Sequence, residues 1–320
     1  MKYDKQLDNK NSLVSNFTSC IVESSPGIFW IGTEKGFSVY FFETKKFLNV
    51  ESPAQIKKLV VEDSTSVLIQ TPYSLYKARL VEIKEKEYTI QLEPMNAYRE
   101  VICKADKNHI YLGGRDNHLY SYDVHTKLIQ LKSESTIWKK IIQQKINGIT
   151  KDKFSNYWIA TNTGLYKMDS TFESIDSFPA QRKIIAGLQD KITSIAIGKM
   201  NNIYIATYQH GLLIYDVNRN RFIEYENDPY NLTSIPDNKI TSLLFDNSGT
   251  LWIGTKGSGI AYYSPYKFKF KHITQEPFKT SWLSNKYILS FVSDNNENIW
   301  IGTDGGGLYK FDSKENIFSN

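Results

Sequence analysis

Hydrophobic positions in this chain come in short bursts and never hold a helical period for long. Between residues 240 and 270 the order is Ile240-Thr241-Ser242-Leu243-Leu244-Phe245, then Asp246-Asn247-Ser248-Gly249, then Leu251-Trp252-Ile253-Gly254-Thr255. Gly257-Ser258-Gly259, Ile260-Ala261-Tyr262-Tyr263 and Phe268-Lys269-Phe270 follow. Runs of four to six β-prone residues separated by turn residues predict strands joined by hairpins. This stretch therefore reads as a four-stranded antiparallel meander with strands a to d in chain order.

One phrase marks strand b of each such unit: an aromatic or aliphatic residue, Ile or Leu, a small residue, then usually Thr. It occurs as Trp30-Ile31-Gly32-Thr33, Leu68-Ile69-Gln70-Thr71, Tyr111-Leu112-Gly113-Gly114 and Trp158-Ile159-Ala160-Thr161. Tyr204-Ile205-Ala206-Thr207, Trp252-Ile253-Gly254-Thr255 and Trp300-Ile301-Gly302-Thr303 complete the set. The second positions are separated by 38 to 48 residues, with a mean of 45, so seven units account for nearly all 320 residues. A small sheet cannot bury both faces alone and must stack on its neighbours around an axis. The expected fold is all-β, a seven-bladed β-propeller of four-stranded antiparallel blades, with residues 1–320 forming one domain and almost no helix.

In this reading the Trp and Tyr rings fill the space between blades, and the small residue lets a neighbouring backbone approach. Tyr3 precedes Leu13 by ten residues, as Tyr225 precedes Ile235, so the chain is expected to start inside a strand d. Ile317-Phe318-Ser319-Asn320 matches the start of the same strand, near Phe222, so the two ends are expected to meet in the seventh blade.

Composition narrows the function. A hydrophobic share of 41% with 21 Tyr, 17 Phe and 6 Trp requires a substantial core. The longest apolar runs are about five residues, far short of a bilayer span. The polar start, Met1 to Asn16, has no apolar core of a signal peptide. A net charge of +5 spread along the chain does not mark a nucleic-acid binder. Cys20 and Cys103 fall in strand a of non-adjacent units and are expected to be buried free thiols.

Catalytic motifs are sparse. Among His109, His118, His125, His210 and His272 no pair has the spacing of a zinc-protease helix. No nucleophile elbow or phosphate loop occurs, and Gly305-Gly306-Gly307 joins two strands with no helix to follow. Asp246-Asn247-Ser248-Gly249 and Asp294-Asn295-Asn296-Glu297 lack full calcium-ligand spacing and read as hairpin turns. No metal and no cofactor is expected. Lys267-Phe268-Lys269-Phe270-Lys271-His272 alternates as an outermost strand should, with lysines discouraging edge pairing; membrane or polyanion binding is the sharper reading.

The strings Gly249-Thr-Leu-Trp-Ile-Gly-Thr255 and Asn298-Ile-Trp-Ile-Gly-Thr-Asp-Gly-Gly-Gly-Leu-Tyr-Lys310, with the linker Asn227 to Asn238, resemble the two-component regulator propeller repeat. The resemblance covers all seven units and is weakest in the second, at Gln70 and Pro72. It implies a non-catalytic sensor of glycan fragments, part of a periplasmic region anchored in the inner membrane, although no signal peptide is in the chain. It also implies a second propeller and an immunoglobulin-like domain as partners, and a dimer of the whole receptor, which would carry a histidine kinase.

The d–a connections and b–c turns share one face, and the d–a connections are long and aromatic. An oligosaccharide site there would use aromatic faces and planar hydrogen-bonding groups. The expected ligand-binding residues are Trp138, Tyr230 and Trp282 from d–a connections, with Arg115, His118, Tyr208 and His210 from b–c turns. Two rivals remain: a propeller lyase resembling streptogramin-inactivating enzymes, with His210 and Glu226 in the acid–base roles, and a protein-interaction scaffold.

Overall fold

The computed structural model describes residues 2–6, 9–52, 54–96, 98–104, 108–114, 118–133, 138, 141, 146–172, 174–177, 190–231, 233–264, 270–273, 285, 287–312 and 317–319. Each expected unit is one antiparallel sheet. Sheets 1 to 6 span 18–51, 58–94, 98–133, 146–177, 192–225 and 240–273, and each is a four-stranded meander in order a-b-c-d. Sheet 7 is built on three consecutive strands, Ile288–Ser293, Ile299–Thr303 and Leu308–Asp312. Strand a of every sheet packs on strand a of the next, and strand a of sheet 7 packs on that of sheet 1. The seven sheets therefore close into a ring, the arrangement of a propeller.

The outer position of sheet 7 is filled from both ends of the chain. Lys2–Tyr3 pairs with Leu308 and Tyr309, and Ile317–Ser319 pairs with Lys310, Phe311 and Asp312 of the same strand. The expected meeting of the termini is thus observed. Tyr3 also reaches into sheet 1, where its hydroxyl bonds that of Tyr40 at 2.5 Å.

The strand-b tryptophans are core. Trp30, Trp158 and Trp300 have no exposed surface and Trp252 has 2%. Each ring leans on the following sheet: Trp158 on Tyr215 of sheet 5 at 5.1 Å, Trp252 on Phe311 of sheet 7 at 5.1 Å, and Trp300 on Phe29 of sheet 1 at 4.4 Å. The small residue after them is fixed by close approach. A Cβ at Gly254 would lie 2.8 Å from Ile288 Cγ2, and one at Gly302 would lie 2.9 Å from Thr18 Oγ1, in both cases on strand a of the next sheet. That strand is also latched from its neighbour: Ser19, Asn147, Thr193 and Thr241 donate to the carbonyls of Ile56, Ile192, Ile240 and Ile288, at 2.6 to 2.7 Å.

The a–b turns hold the tryptophans from below. Asp152, Asp246 and Asp294 each stand six residues before a Trp, and their Oδ2 accepts the indole N–H at 2.9, 2.8 and 3.0 Å. Their Oδ1 accepts backbone N–H groups of the turn. These carboxylates are satisfied by the turns themselves, as the hairpin reading required. In sheet 5 a Tyr replaces the Trp, and Gly198 replaces the Asp; a Cβ there would lie 2.8 Å from Tyr204 Cε2.

In sheet 2, Leu68 stands where the Trp would be and Glu62 where the Asp would be. Its fully buried carboxylate accepts from Lys77 at 2.9 Å, from Lys127 of sheet 3 at 2.5 Å, and from the Tyr122 hydroxyl. Burial pushes this carboxyl up, but the Lys127, Tyr122 and Lys77 hydrogen bonds outweigh it and hold it below the usual range.

Cys20 lies in strand a of sheet 1 as a free thiol, pushed up to about 11 by burial. Cys103 lies in strand a of sheet 3, opposite Tyr111. The outer strand of sheet 6 is Phe270–Ile273, two residues later than the sequence pattern placed it; Lys267, Phe268 and Lys269 lie outside the described residues.

Candidate functional site

Because strand a runs from the b–c face to the opposite one, b–c turns and d–a connections emerge together around one mouth of the ring. The Thr that ends strand b builds this face. Its hydroxyl donates to the carbonyl closing the b–c turn, at 2.9 Å for Thr207 to Gly211, 2.7 Å for Thr255 to Gly259 and 2.8 Å for Thr303 to Gly307. The closing glycine must adopt a left-handed backbone: Gly211 has φ +67°, and its N–H donates to Asn238 O at 3.0 Å.

The residue after that Thr then donates its N–H to the residue just before strand a of the same sheet. The pairs are Glu34 with Phe17, Tyr208 with Lys191, Lys256 with Lys239, and Asp304 with Tyr287, at 2.9 to 3.1 Å. Eight side chains are thereby set around the mouth by one repeated backbone bond. Sheets are joined here too, since Phe17 bridges to Asp304 and Tyr287 to Lys256.

The mouth is chemically divided. On sheets 7 and 1 it presents two half-exposed rings, Tyr287 at 49% and Phe17 at 46%, beside Asp304 and Glu34. Phe17 lies against the Gly305 backbone, where a Cβ would meet its ring at 3.3 Å. On sheets 5 and 6 the mouth presents Lys191, Lys239 and Lys256 around Tyr208. Lys256 Nζ donates to the Tyr208 hydroxyl at 2.6 Å. It is 5.1 Å from the ring centre, which places it near the ring plane beyond the hydroxyl, whereas Lys191 Nζ is 5.2 Å from the same centre. The hydrogen bond and charge of Lys256, followed by the charges of Lys239 and Lys191, hold the Tyr208 phenol below its ordinary range; Lys256 is raised in return. His210 Nδ1 lies 3.5 Å from Asp190 Oδ2, which accepts the Gln209 N–H at 2.5 Å.

The sequence model of the two component regulator propeller matches residues 234–257 and 283–305. The chain carries two-component regulator propeller repeats. Each matched repeat runs from the end of a d–a connection to the b–c turn, and the two supply Lys239, Lys256, Tyr287 and Asp304. No curated protein matches the sequence. Among solved structures, the fold is similar to the extracellular domain of a B. thetaiotaomicron protein described as a hybrid two component system. The identity is 20% and the TM-score 0.67, over 96% of this chain and 39% of that one. A second such domain from the same organism gives 19% and 0.53, over 100% and 48%. The chain thus spans less than half the length of these two structures. Virginiamycin B lyase from Staphylococcus aureus has a similar fold, with 12% identity and a TM-score of 0.63 over 92% of this chain and 94% of the lyase.

The expected site residues separate against this geometry. Tyr208 and His210 share the b–c turn of sheet 5 at the mouth. His118 stands half-buried at the end of the corresponding turn of sheet 3, two sheets away. Tyr230 lies on the d–a connection of sheet 5 with 98% of its surface exposed, on a loop pinned by Asn227 to Asn238 and Ile235. Trp138 requires correction as a surface contact: it has no exposed surface and packs among Leu119, Ile141 and Phe172, so its ring is core and offers a ligand nothing. Arg115 and Trp282 lie outside the described residues. Phe17, Lys191, Lys239, Lys256, Tyr287 and Asp304 were missed, although each adjoins strand a or the terminal Thr of the phrase and could have been found by aligning the units. Among the described residues no cluster of His, Cys, Asp and Glu could hold a metal ion, and the carboxylate beside His210 is Asp190, not Glu226.

Proposed function

We propose that this chain is the sensing propeller of a hybrid two-component signalling protein, carried on the outer side of the membrane, and that it binds a glycan fragment at the mouth. One observation carries the reading: the matched repeats supply Tyr287, Lys256 and Asp304 to the mouth, so that the half-exposed rings of Tyr287 and of neighbouring Phe17 stand beside charged hydrogen-bonding groups. Sugar rings stack their C–H faces on aromatic surfaces while hydroxyls bond to planar polar groups. The role is binding and transmission, not turnover. A ligand spanning sheets 6, 7 and 1 would bias the inter-sheet bridges at Tyr287 and Phe17, and so the packing of the ring against partner domains. Those partners are a second propeller and an immunoglobulin-like domain of the same protein, within a dimeric receptor; residues 1–320 act as one domain.

A calorimetric screen of defined oligosaccharides tests this. Phe17→Ala and Tyr287→Ala should each weaken the bound sugar by about 1 to 3 kcal/mol without lowering the melting temperature. If no sugar binds and the same changes loosen a second propeller instead, the mouth is an inter-domain surface. Among the described residues, the His210–Asp190 pair is the feature that favours lyase chemistry. Incubation with a type B streptogramin and a divalent ion is expected to give no turnover, and turnover lost in His210→Ala would reverse the assignment.

A further inference from the structure

The division of the mouth says what kind of glycan it takes. Lys191 and Lys239 come from the positions before strand a, and Lys256 from a b–c turn; Lys256 donates to the Tyr208 hydroxyl, Lys191 Nζ lies 5.2 Å from its ring centre, and the Lys239 charge acts on it through space. All three lysines are exposed. Among the described residues, none of the three has a carboxylate within ion-pair distance. The nearby acids are engaged by other donors: Asp190 by Gln209 N–H, and Asp237 by Lys239 N–H at 2.9 Å and Ser258 Oγ at 3.3 Å. Asp304 acts on Lys256 only through space. Like charges brought together with no carboxylate in ion-pair contact oppose one another, and an anion placed in direct contact with them relieves that repulsion. The remaining partner of the cluster, the Tyr208 hydroxyl, has its oxygen taken by Lys256 and its proton free to donate.

We propose that the sheet 5 and 6 side of the mouth binds an anionic substituent of the ligand, a carboxylate or a sulfate ester, with Lys191, Lys239, Lys256 and the Tyr208 hydroxyl as donors. The sugar ring bearing it then extends toward Tyr287 and Phe17. The ligand is an acidic oligosaccharide. This inference rests on the reading of the mouth as a glycan site.

Titration calorimetry of this chain with dextran, carboxymethyl-dextran and dextran sulfate fragments of equal length, at low and at physiological salt, tests it. At least one charged fragment should bind tenfold or more tightly than dextran and weaken with salt, and the better of the two identifies carboxylate or sulfate as the anion. K191Q/K239Q/K256Q should lose at least tenfold. K46Q/K84Q/K153Q, with the same change of net charge on the opposite face, should lose less than twofold. Equal losses in the two triple variants, or no charged fragment binding, overturns the anion site. An uncharged sugar whose binding depends on Phe17 and Tyr287 but not on the three lysines overturns it while leaving the sensing function standing. If neither charged nor uncharged sugars bind, both readings fall.

Discussion

Sheets 7 and 2 solve one packing problem in opposite ways. Both place a buried carboxylate at the a–b turn, six residues before the large strand-b side chain. In sheet 7 the side chain is Trp300, and Asp294 is consumed locally by the indole and the turn backbone. In sheet 2 the side chain is Leu68, which has no N–H to offer, and the longer Glu62 reaches lysines and a tyrosine, one lysine and the tyrosine belonging to sheet 3. The acceptor persists while its partners change from within the sheet to between sheets. A unit that is weak as a repeat is therefore held by charge where the regular units are held by an indole.

The largest test is to remove the ring. Trp300→Ala should lower stability by about 3 to 5 kcal/mol in chemical denaturation, as large core truncations do; a near-wild-type midpoint would show that the indole is not core. Asp294→Ala leaves the Trp300 N–H and several turn N–H groups without an acceptor and should cost about 1 to 3 kcal/mol, with the same substitution at Asp152 costing a similar amount. Glu62→Gln should cost about 1 kcal/mol, because Lys77 and Lys127 are partly solvated and recover some hydration.

The pH dependence separates the two devices further. The folded Glu62 carboxyl lies below its unfolded value, so its contribution is present above the unfolded value and is lost as pH falls through the folded one. Wild-type melting should drop below about pH 4.5, the ordinary carboxylate range, and Glu62→Gln should flatten part of that drop. An unchanged profile would mean the carboxylate is not paired. The smallest effect belongs to the latches near the axis. Thr241→Val and Ser19→Ala each remove one bond to a carbonyl of the next sheet and should cost about 0.5 to 1.5 kcal/mol alike, whichever class of sheet stands beyond it.

Sheet count, strand order and the core role of Trp30, Trp158, Trp252 and Trp300 were legible because each leaves a local mark that recurs at a fixed interval. Closure at sheet 7 was legible from alignment of Tyr3 with Tyr225. The mouth was not. Its side chains come from the residue before strand a and the residue after the terminal Thr; the second differs from unit to unit, and the first carries Lys at 145, 191 and 239, a residue too frequent along the chain to stand out as a site. What repeats there is a backbone bond, which any residue but proline can make, so composition gives no sign of it. Trp138 misled for the opposite reason: an aromatic residue in a long connection resembles a surface contact until packing shows its ring buried against Leu119 and Phe172.

Six of the seven sheets draw their strands from one continuous stretch, but the edge of the last depends on residues 2–3 and 317–319. As the chain leaves the ribosome, Lys2 and Tyr3 emerge before any of the other strands and then wait for Leu308 and Tyr309, while their eventual neighbours are still being translated. Two residue pairs, Lys2 with Tyr309 and Tyr3 with Leu308, then join the first strand to the last sheet, beside the packing of sheet 7 on sheet 1. Assembly of the other sheets can proceed in order of synthesis, but the last event is a long-range one, and a nascent chain released early would keep an open rim with a free strand edge.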